Sequence, residues 1–212
     1  SWGANGNGET GHGDTTARSS PTQVGALTDW AVVSGALSHT LAVKTDGTLW
    51  SWGDSPNGRL GQNDATDRSS PTQIGALTTW ANTVAAGNHS AAIKTDGTLW
   101  TWGHNATGQL GDGTTTTRSS PVQVGDLTDW ATLINCNSQG YATAALKTDG
   151  TLWSWGRNAS AELGQNDTVA RSSPVQIGTL TDWSIIPVGG GNVAPVACIK
   201  TDGTFWGWGD GY

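Results

Sequence analysis

The chain has no methionine and a single phenylalanine, and only 13% of its 212 residues are charged. Ten basic residues stand against seventeen acidic ones, for a net charge of -7. The basic residues are scattered along the chain, with no cluster. Without a basic stripe there is no electrostatic footprint for a phosphate backbone, so nucleic acid is not expected as a partner. No apolar run approaches the roughly 20 residues of a membrane helix, so membrane insertion is not expected. No secretory signal pattern opens the sequence. There is no Gly-Lys-Ser/Thr phosphate loop, no G-x-S-x-G elbow and no H-E-x-x-H pair. No catalytic residue, resident metal or cofactor is therefore expected, and the chain reads as a non-enzyme. It opens on Ser-Trp-Gly in the middle of a repeating unit. That start suggests a processed product or a segment of something longer.

Cysteine is also scarce. Cys136 and Cys198 occupy non-equivalent places in the repeats described below. They read either as two small buried thiols or as one candidate disulfide.

What the chain has in excess is glycine (31) and tryptophan (13), and they recur in register. KTDGTLWSWG at 44–53 returns as KTDGTLWTWG at 94–103, KTDGTLWSWG at 147–156 and KTDGTFWGWG at 200–209. A second block, RSSP-x-Q-(V/I)-G-x-L-T-x-W, starts at Arg18, Arg68, Arg118 and Arg171. Repeats of this length build propellers or solenoids. In the second unit, His89–Lys94 and Thr98–Trp102 are rich in β-formers and flank an Asp-Gly turn, which predicts a hairpin closed by a two-residue loop. Trp80–Ala86 and Ser119–Val124 supply two further strands, the latter with Pro121 near an edge. Four short strands per unit make a propeller blade. The expected fold is all-β: a β-propeller of four-stranded blades with about four blades present, part of a larger, seven-bladed propeller or array. It forms one repeat domain over 1–212. Blade units fall at approximately 1–30 (outer part of a blade), 31–80, 81–130, 131–183 and 184–212 (inner part of a blade).

The tryptophan pairs Trp50/Trp52, Trp100/Trp102, Trp153/Trp155 and Trp206/Trp208 are two residues apart, so each pair shares a sheet face. Repetition in every unit assigns them to the core rather than to sugar or base stacking. After each WG comes a loop of constant length and variable content, in which a Leu–Gly (Leu60-Gly61, Leu110-Gly111, Leu163-Gly164) is expected to anchor the loop. His39 and His89 are equivalent one unit apart and are expected to bond a neighbouring strand or loop. The Asn-rich segments fail the EF-hand calcium pattern, since Thr10 and Thr16 stand where its Gly and Glu belong. Asn88, Asn105, Asn158 and Asn166 open N-glycosylation triplets.

The order G-x-x-H-(T/S)-x-A-(V/I)-K-T-D-G-T-L-W-x-W-G-x-N-x-x-G-Q-L-G, clearest from Asn88 to Gly111, resembles the regulator of chromosome condensation repeat. The resemblance covers essentially the whole chain and implies a β-propeller with about 50 residues per blade. Members of that family include nucleotide-exchange regulators of a small GTPase, enzyme inhibitors that dock through a propeller face, and extracellular arrays. No residue matches a nucleotide-exchange site.

Function is therefore sought where the repeats differ, on loops held by a rigid scaffold. One rim offers Asn57, Arg59, His104, Asn105, Arg157 and Asn158; the other rim offers Leu37, Asn88, Gln139, Tyr141 and Asn192. The expected function is non-enzymatic binding or display, with a protein or glycan partner on a propeller face and an extracellular or particle-surface location. Two alternatives are a structural assembly subunit (ring, filament or particle coat) and an exchange-type regulator of a small GTPase. A homo-oligomer or a longer parent chain is expected.

Overall fold

A computed structural model describes residues 1–135, 140–184 and 196–209. The described residues form strands, turns and loops and contain no helix. The first complete blade is β1 (Trp30–Gly35), β2 (His39–Lys44), β3 (Leu49–Gly53) and β4 (Arg68–Gln73). The second is β5 (Trp80–Ala85), β6 (His89–Lys94), β7 (Leu99–Gly103) and β8 (Arg118–Gln123). The third is β9 (Trp130–Asn135), β10 (Ala142–Lys147), β11 (Leu152–Gly156) and β12 (Arg171–Gln176). The fourth contributes β13 (Trp183–Ser184), β14 (Val196–Lys200) and β15 (Phe205–Trp208). Each sheet is an antiparallel meander in sequence order. Ahead of them, residues 1–29 form a loop held by a bridge between Gly3 and Arg18.

The first strands β1, β5 and β9 pack on one another, and β4, β8 and β12 are only partly covered. The blades therefore radiate from an inner edge made by their first strands. The core lies between blades. Leu41, Val43, Leu49 and Ile74 of the first blade meet Trp80, Ala85, Ala92 and Trp102 of the second. Ala91, Ile93, Leu99 and Val124 meet Trp130, Leu133, Ala145 and Trp155 in the same way. Each blade thus buries its apolar face only by stacking on a neighbour, as repeat architectures require.

The Asp-Gly hairpin differs in detail from the sequence expectation. Gly97 N–H donates to Lys94 O at 2.9 Å and Lys94 N–H to Thr98 O at 3.0 Å, which closes a three-residue loop, Thr95-Asp96-Gly97. Only Gly97 has positive φ, at 78°. Asp96 stays on the ordinary side because its carboxylate accepts from both the backbone N–H and the hydroxyl of Thr98, at 3.0 and 2.7 Å. A type I turn followed by a left-handed glycine suits that bonding better than a two-residue loop.

Candidate functional site

Each blade repeats one aromatic cluster. Trp80 meets Trp100 and Trp102 edge to face, with ring centroids 6.1 and 6.5 Å apart. The same triads form at Trp30, Trp50 and Trp52, at Trp130, Trp153 and Trp155, and at Trp183, Trp206 and Trp208. The pairs noted in the sequence thus have a third member, the tryptophan that ends the RSSP block. The inner tryptophan of each pair also bonds the preceding loop. Trp52, Trp102, Trp155 and Trp208 donate from Nε1 to the carbonyls of Glu9, Arg59, Gln109 and Glu162, at 2.8–3.0 Å. The apolar grooves between blades are built from these same residues. One is lined by Ile74, Leu77, Trp80, Trp100 and Pro121, another by Val124, Leu127, Trp130, Trp153 and Pro174.

The two sets of variable residues do not lie on opposite rims. In the hairpin β2–β3, His39 pairs with Gly53, so the residue before β2 and the residue after β3 sit at the same end. Asp54 N–H donates to Ser38 O, His104 N–H to Asn88 O and Arg157 N–H to Tyr141 O. The loops after the third strands and the turns before the second strands therefore share one rim, called the loop rim here. The Lys-Thr-Asp-Gly turns occupy the opposite, turn rim.

On the loop rim the candidates separate by burial. Asn105 and Asn158 are fully buried. The Asn105 amide donates to the carbonyls of Thr114 and Thr116 and accepts from Leu110 N–H; Asn158 does the same with Asp167, Val169 and Leu163. They hold their own loops together and offer a partner nothing. Arg59 is also buried, at 3% exposure. Its guanidinium pairs with Asp54 and crosses to the next blade, donating to Gly87 O at 2.7 Å and Asn88 Oδ1 at 3.3 Å. Burial pulls its pKa below the ordinary arginine value and raises that of Asp54. These residues read as surface in the sequence because they are polar and variable, yet variation here repacks a buried loop. In the next loop Gln109 replaces Arg59 and binds His104 Nδ1 at 2.7 Å, and in the last Glu162 faces Arg157 with the charges reversed, at 3.7 Å.

The histidines are structural. His39 Nε2 lies 3.0 Å from Ser90 Oγ of the next blade, and His89 Nε2 lies 2.7 Å from Thr143 Oγ1. Burial lowers His39 to about 3 and His89 to about 4, so both are neutral. No group of three or more metal-ligating side chains occurs among the described residues.

One cluster on the rim lies at the junction of the second and third blades. The half-buried Tyr141 ring meets His104 edge-on at 6.5 Å and has the Arg157 guanidinium 5.6 Å from its centroid. Asn57 and Asn88 are half-buried, and Leu37 is 77% exposed on the first blade. Gln139 and Asn192 lie outside the described residues. So does Cys136, while Cys198 is buried, its thiol pushed up to about 11.

Comparisons with known proteins agree with this architecture. The family model of the Regulator of chromosome condensation (RCC1) repeat matches residues 1–43, 46–93, 96–139 and 149–194. The mitochondrial RCC1 domain-containing protein RUG3 of Arabidopsis thaliana is 32% identical over 72 residues, 34% of this chain and 16% of that protein. The structure of yeast RCC1 (Prp20) bound to Kap60 superposes with a TM-score of 0.79 at 18% identity, over 95% of this chain and 48% of that one. The Saccharomyces cerevisiae Prp20p structure, described with its binding to Gsp1p and histones, gives 0.78 at 18% identity, over 94% and 50%. The chain thus spans about half the length of the solved structures and less of the curated relative. The expected extracellular location is corrected: the curated relative is described as mitochondrial, which points away from an extracellular surface. Of the glycosylation triplets, Asn105 and Asn158 are buried and hydrogen-bonded, whereas Asn88 is half-buried and Asn166 exposed.

Proposed function

The chain belongs to the regulator of chromosome condensation (RCC1) repeat family, and from that premise we propose that it is a non-catalytic, protein-binding propeller segment. Its contact surface is the loop rim around Tyr141, His104 and Arg157, with Asn88 and Asn57 at the margin. The observation that carries this reading is the convergence of three unlike, repeat-specific side chains on one ring. Tyr141, His104 and Arg157 come from different loops and stack without any counterpart in the first blade. Aromatic and arginine side chains on a rigid frame are the usual anchors of protein interfaces. Prp20p, which shares the fold, is described as binding Gsp1p and histones, so a small GTPase is the first partner class to examine.

A photo-crosslinking amino acid placed at Arg157, and separately at Asp202 on the turn rim, tests this in extract of the source cells. A discrete protein adduct at 157 and none at 202 is the expected result. Adducts only at 202, or at neither position, would remove the loop rim as the contact surface. A small GTPase in that adduct would favour the exchange-regulator reading over simple docking.

A further inference from the structure

The chain contains four lysines, and all four occupy the same place, at the start of the Lys-Thr-Asp-Gly turn. Lys44, Lys147 and Lys200 share one environment. Each ammonium lies over two tryptophan rings, at 5.0 and 4.4 Å, 5.0 and 4.4 Å, and 5.3 and 4.6 Å from their centroids. Each is closed off by a carboxylate of its own blade: Asp29 at 3.4 Å, Asp129 at 3.3 Å and Asp182 at 3.4 Å. Those carboxylates are themselves 41% exposed, so they cover the side from which solvent would otherwise reach the nitrogen.

The second blade breaks the pattern. Thr79, exposed and uncharged, stands where the other blades have the aspartate. Lys94 forms no ion pair among the described residues. Its ammonium has moved to 3.7 Å from the Trp100 centroid and stays 5.0 Å from Trp80. It is also the least buried of the four. The nearest acidic influence is Asp96, whose carboxylate is already held by Thr98. Burial against the indoles, only partly offset by Asp96, lowers the Lys94 pKa from its ordinary value, as expected for an ammonium that loses water without gaining an ion-pair partner.

We infer that Lys94 is the reactive lysine of this array, a site for covalent modification by acyl donors such as thioesters or anhydrides, approached across Thr79. In that step the neutral ε-amine attacks the acyl carbonyl carbon. An N–C bond forms, the bond from that carbon to sulfur or oxygen breaks, the thiolate or carboxylate leaves, and the amine proton passes to solvent. The three paired lysines are shielded from it by the carboxylate that each ammonium contacts.

Because the lysines are equivalent and there are only four, the chain is its own control. The folded protein is treated with limiting acetic anhydride near neutral pH, and acetylation at each lysine is followed in time by peptide mass spectrometry. Lys94 is expected to react several-fold faster than the other three. Thr79→Asp should bring Lys94 down to their rate, and Asp129→Thr should raise Lys147 toward that of Lys94. Both substitutions are at the surface, and unchanged tryptophan emission would show that the fold is kept. Equal rates at all four lysines, or a fast Lys94 that ignores Thr79→Asp, would overturn the inference.

Discussion

The indole Nε1 of Trp102 donates to the backbone carbonyl of Arg59 at 2.8 Å, joining the third strand of one blade to the loop of the blade before it. Ser90 Oγ donates to the same carbonyl at 2.7 Å and receives His39 Nε2 from the preceding blade. Three side chains and one backbone group thus make a polar clasp at the blade junction, beside the apolar core. Its next copy uses Trp155, the Gln109 carbonyl, Thr143 and His89. In an array where each unit contacts only its neighbours, such junctions carry the cooperativity.

The loop passes so close to the tryptophan that only glycine fits beside it. A Cβ on Gly111 would lie 2.6 Å from Trp155 Nε1, and φ there is +74°. Gly125 has φ of +59° with nothing within 4 Å. Gly125→Ala should cost about 1–2 kcal/mol, from backbone strain alone. Gly111→Ala adds overlap with the indole and should cost about 3–5 kcal/mol. Urea midpoints followed by tryptophan fluorescence decide this; equal costs would mean that the loop can back away from the ring.

Asn105 should behave as a core residue in spite of its polarity. Its amide satisfies three carbonyl or carboxylate oxygens and one backbone N–H, and Asn105→Ala strands buried partners at about 1–3 kcal/mol each. A loss on the order of 3 kcal/mol is expected. The equivalent Ser55 has a buried hydroxyl without a partner, so Ser55→Ala should be neutral or mildly stabilising. Chemical denaturation of the two variants side by side is the check.

Acid should open the blade junctions. His39 and His89 are held neutral by burial, with folded pKa values of about 3 and about 4 against 6.5 when unfolded. The unfolded chain therefore binds more protons between these limits. The stability these histidines provide is complete above about pH 6.5 and falls as pH drops toward 4, by on the order of 3 kcal/mol for each histidine. Stability measured from pH 7 to pH 4 should show this slope, and His39→Gln should reduce it by about half. A flat profile would mean that the rings are protonated in the folded state.

The repeat made the fold legible. β-Formers around Lys-Thr-Asp-Gly located the hairpins, and strict recurrence pointed to Trp102 and Trp155, which are buried between blades with Trp100 and Trp153 half-buried beside them, whereas Trp206 is 47% exposed. The site was less legible, because variability and polarity are shared by surface loops and by buried hydrogen-bonded ones. Asn105, Asn158 and Arg59 looked exposed on those grounds and are not. A signal was available for the two asparagines: Asn recurs at the second position after Trp-Gly in three of the four loops (Asn5, Asn105 and Asn158), and a recurring polar residue inside a variable loop marks one that the loop itself needs. The two variable sets were expected on opposite rims, although antiparallel hairpin geometry puts the residue before β2 and the residue after β3 at the same end. The contact of His104 with Tyr141 was not legible, because it joins residues of two blades.

Hydrogen bonding sets the two clasp histidines in opposite tautomers. Ser90 Oγ gives its proton to Arg59 O, so it must accept from His39, which places the His39 proton on Nε2 and leaves Nδ1 without a partner. For His89, the carbonyl of Gly140 lies 2.9 Å from Nδ1. A carbonyl only accepts, so Nδ1 carries the proton; in the neutral ring Nε2 then accepts, and Thr143 turns its single hydroxyl proton from the Gln109 carbonyl, 2.8 Å away, to Nε2 at 2.7 Å. The difference traces to Arg59. Its guanidinium occupies the carbonyl of Gly87, the counterpart of Gly140, whereas Gln109 turns toward His104 and leaves Gly140 to His89. Arg59→Gln should therefore free the Gly87 carbonyl and move the His39 proton to Nδ1. The ring-nitrogen chemical shifts of His39 would exchange between the Nε2–H and Nδ1–H patterns, with those of His89 unchanged. An unchanged His39 spectrum would mean that Ser90, not Arg59, dictates the tautomer.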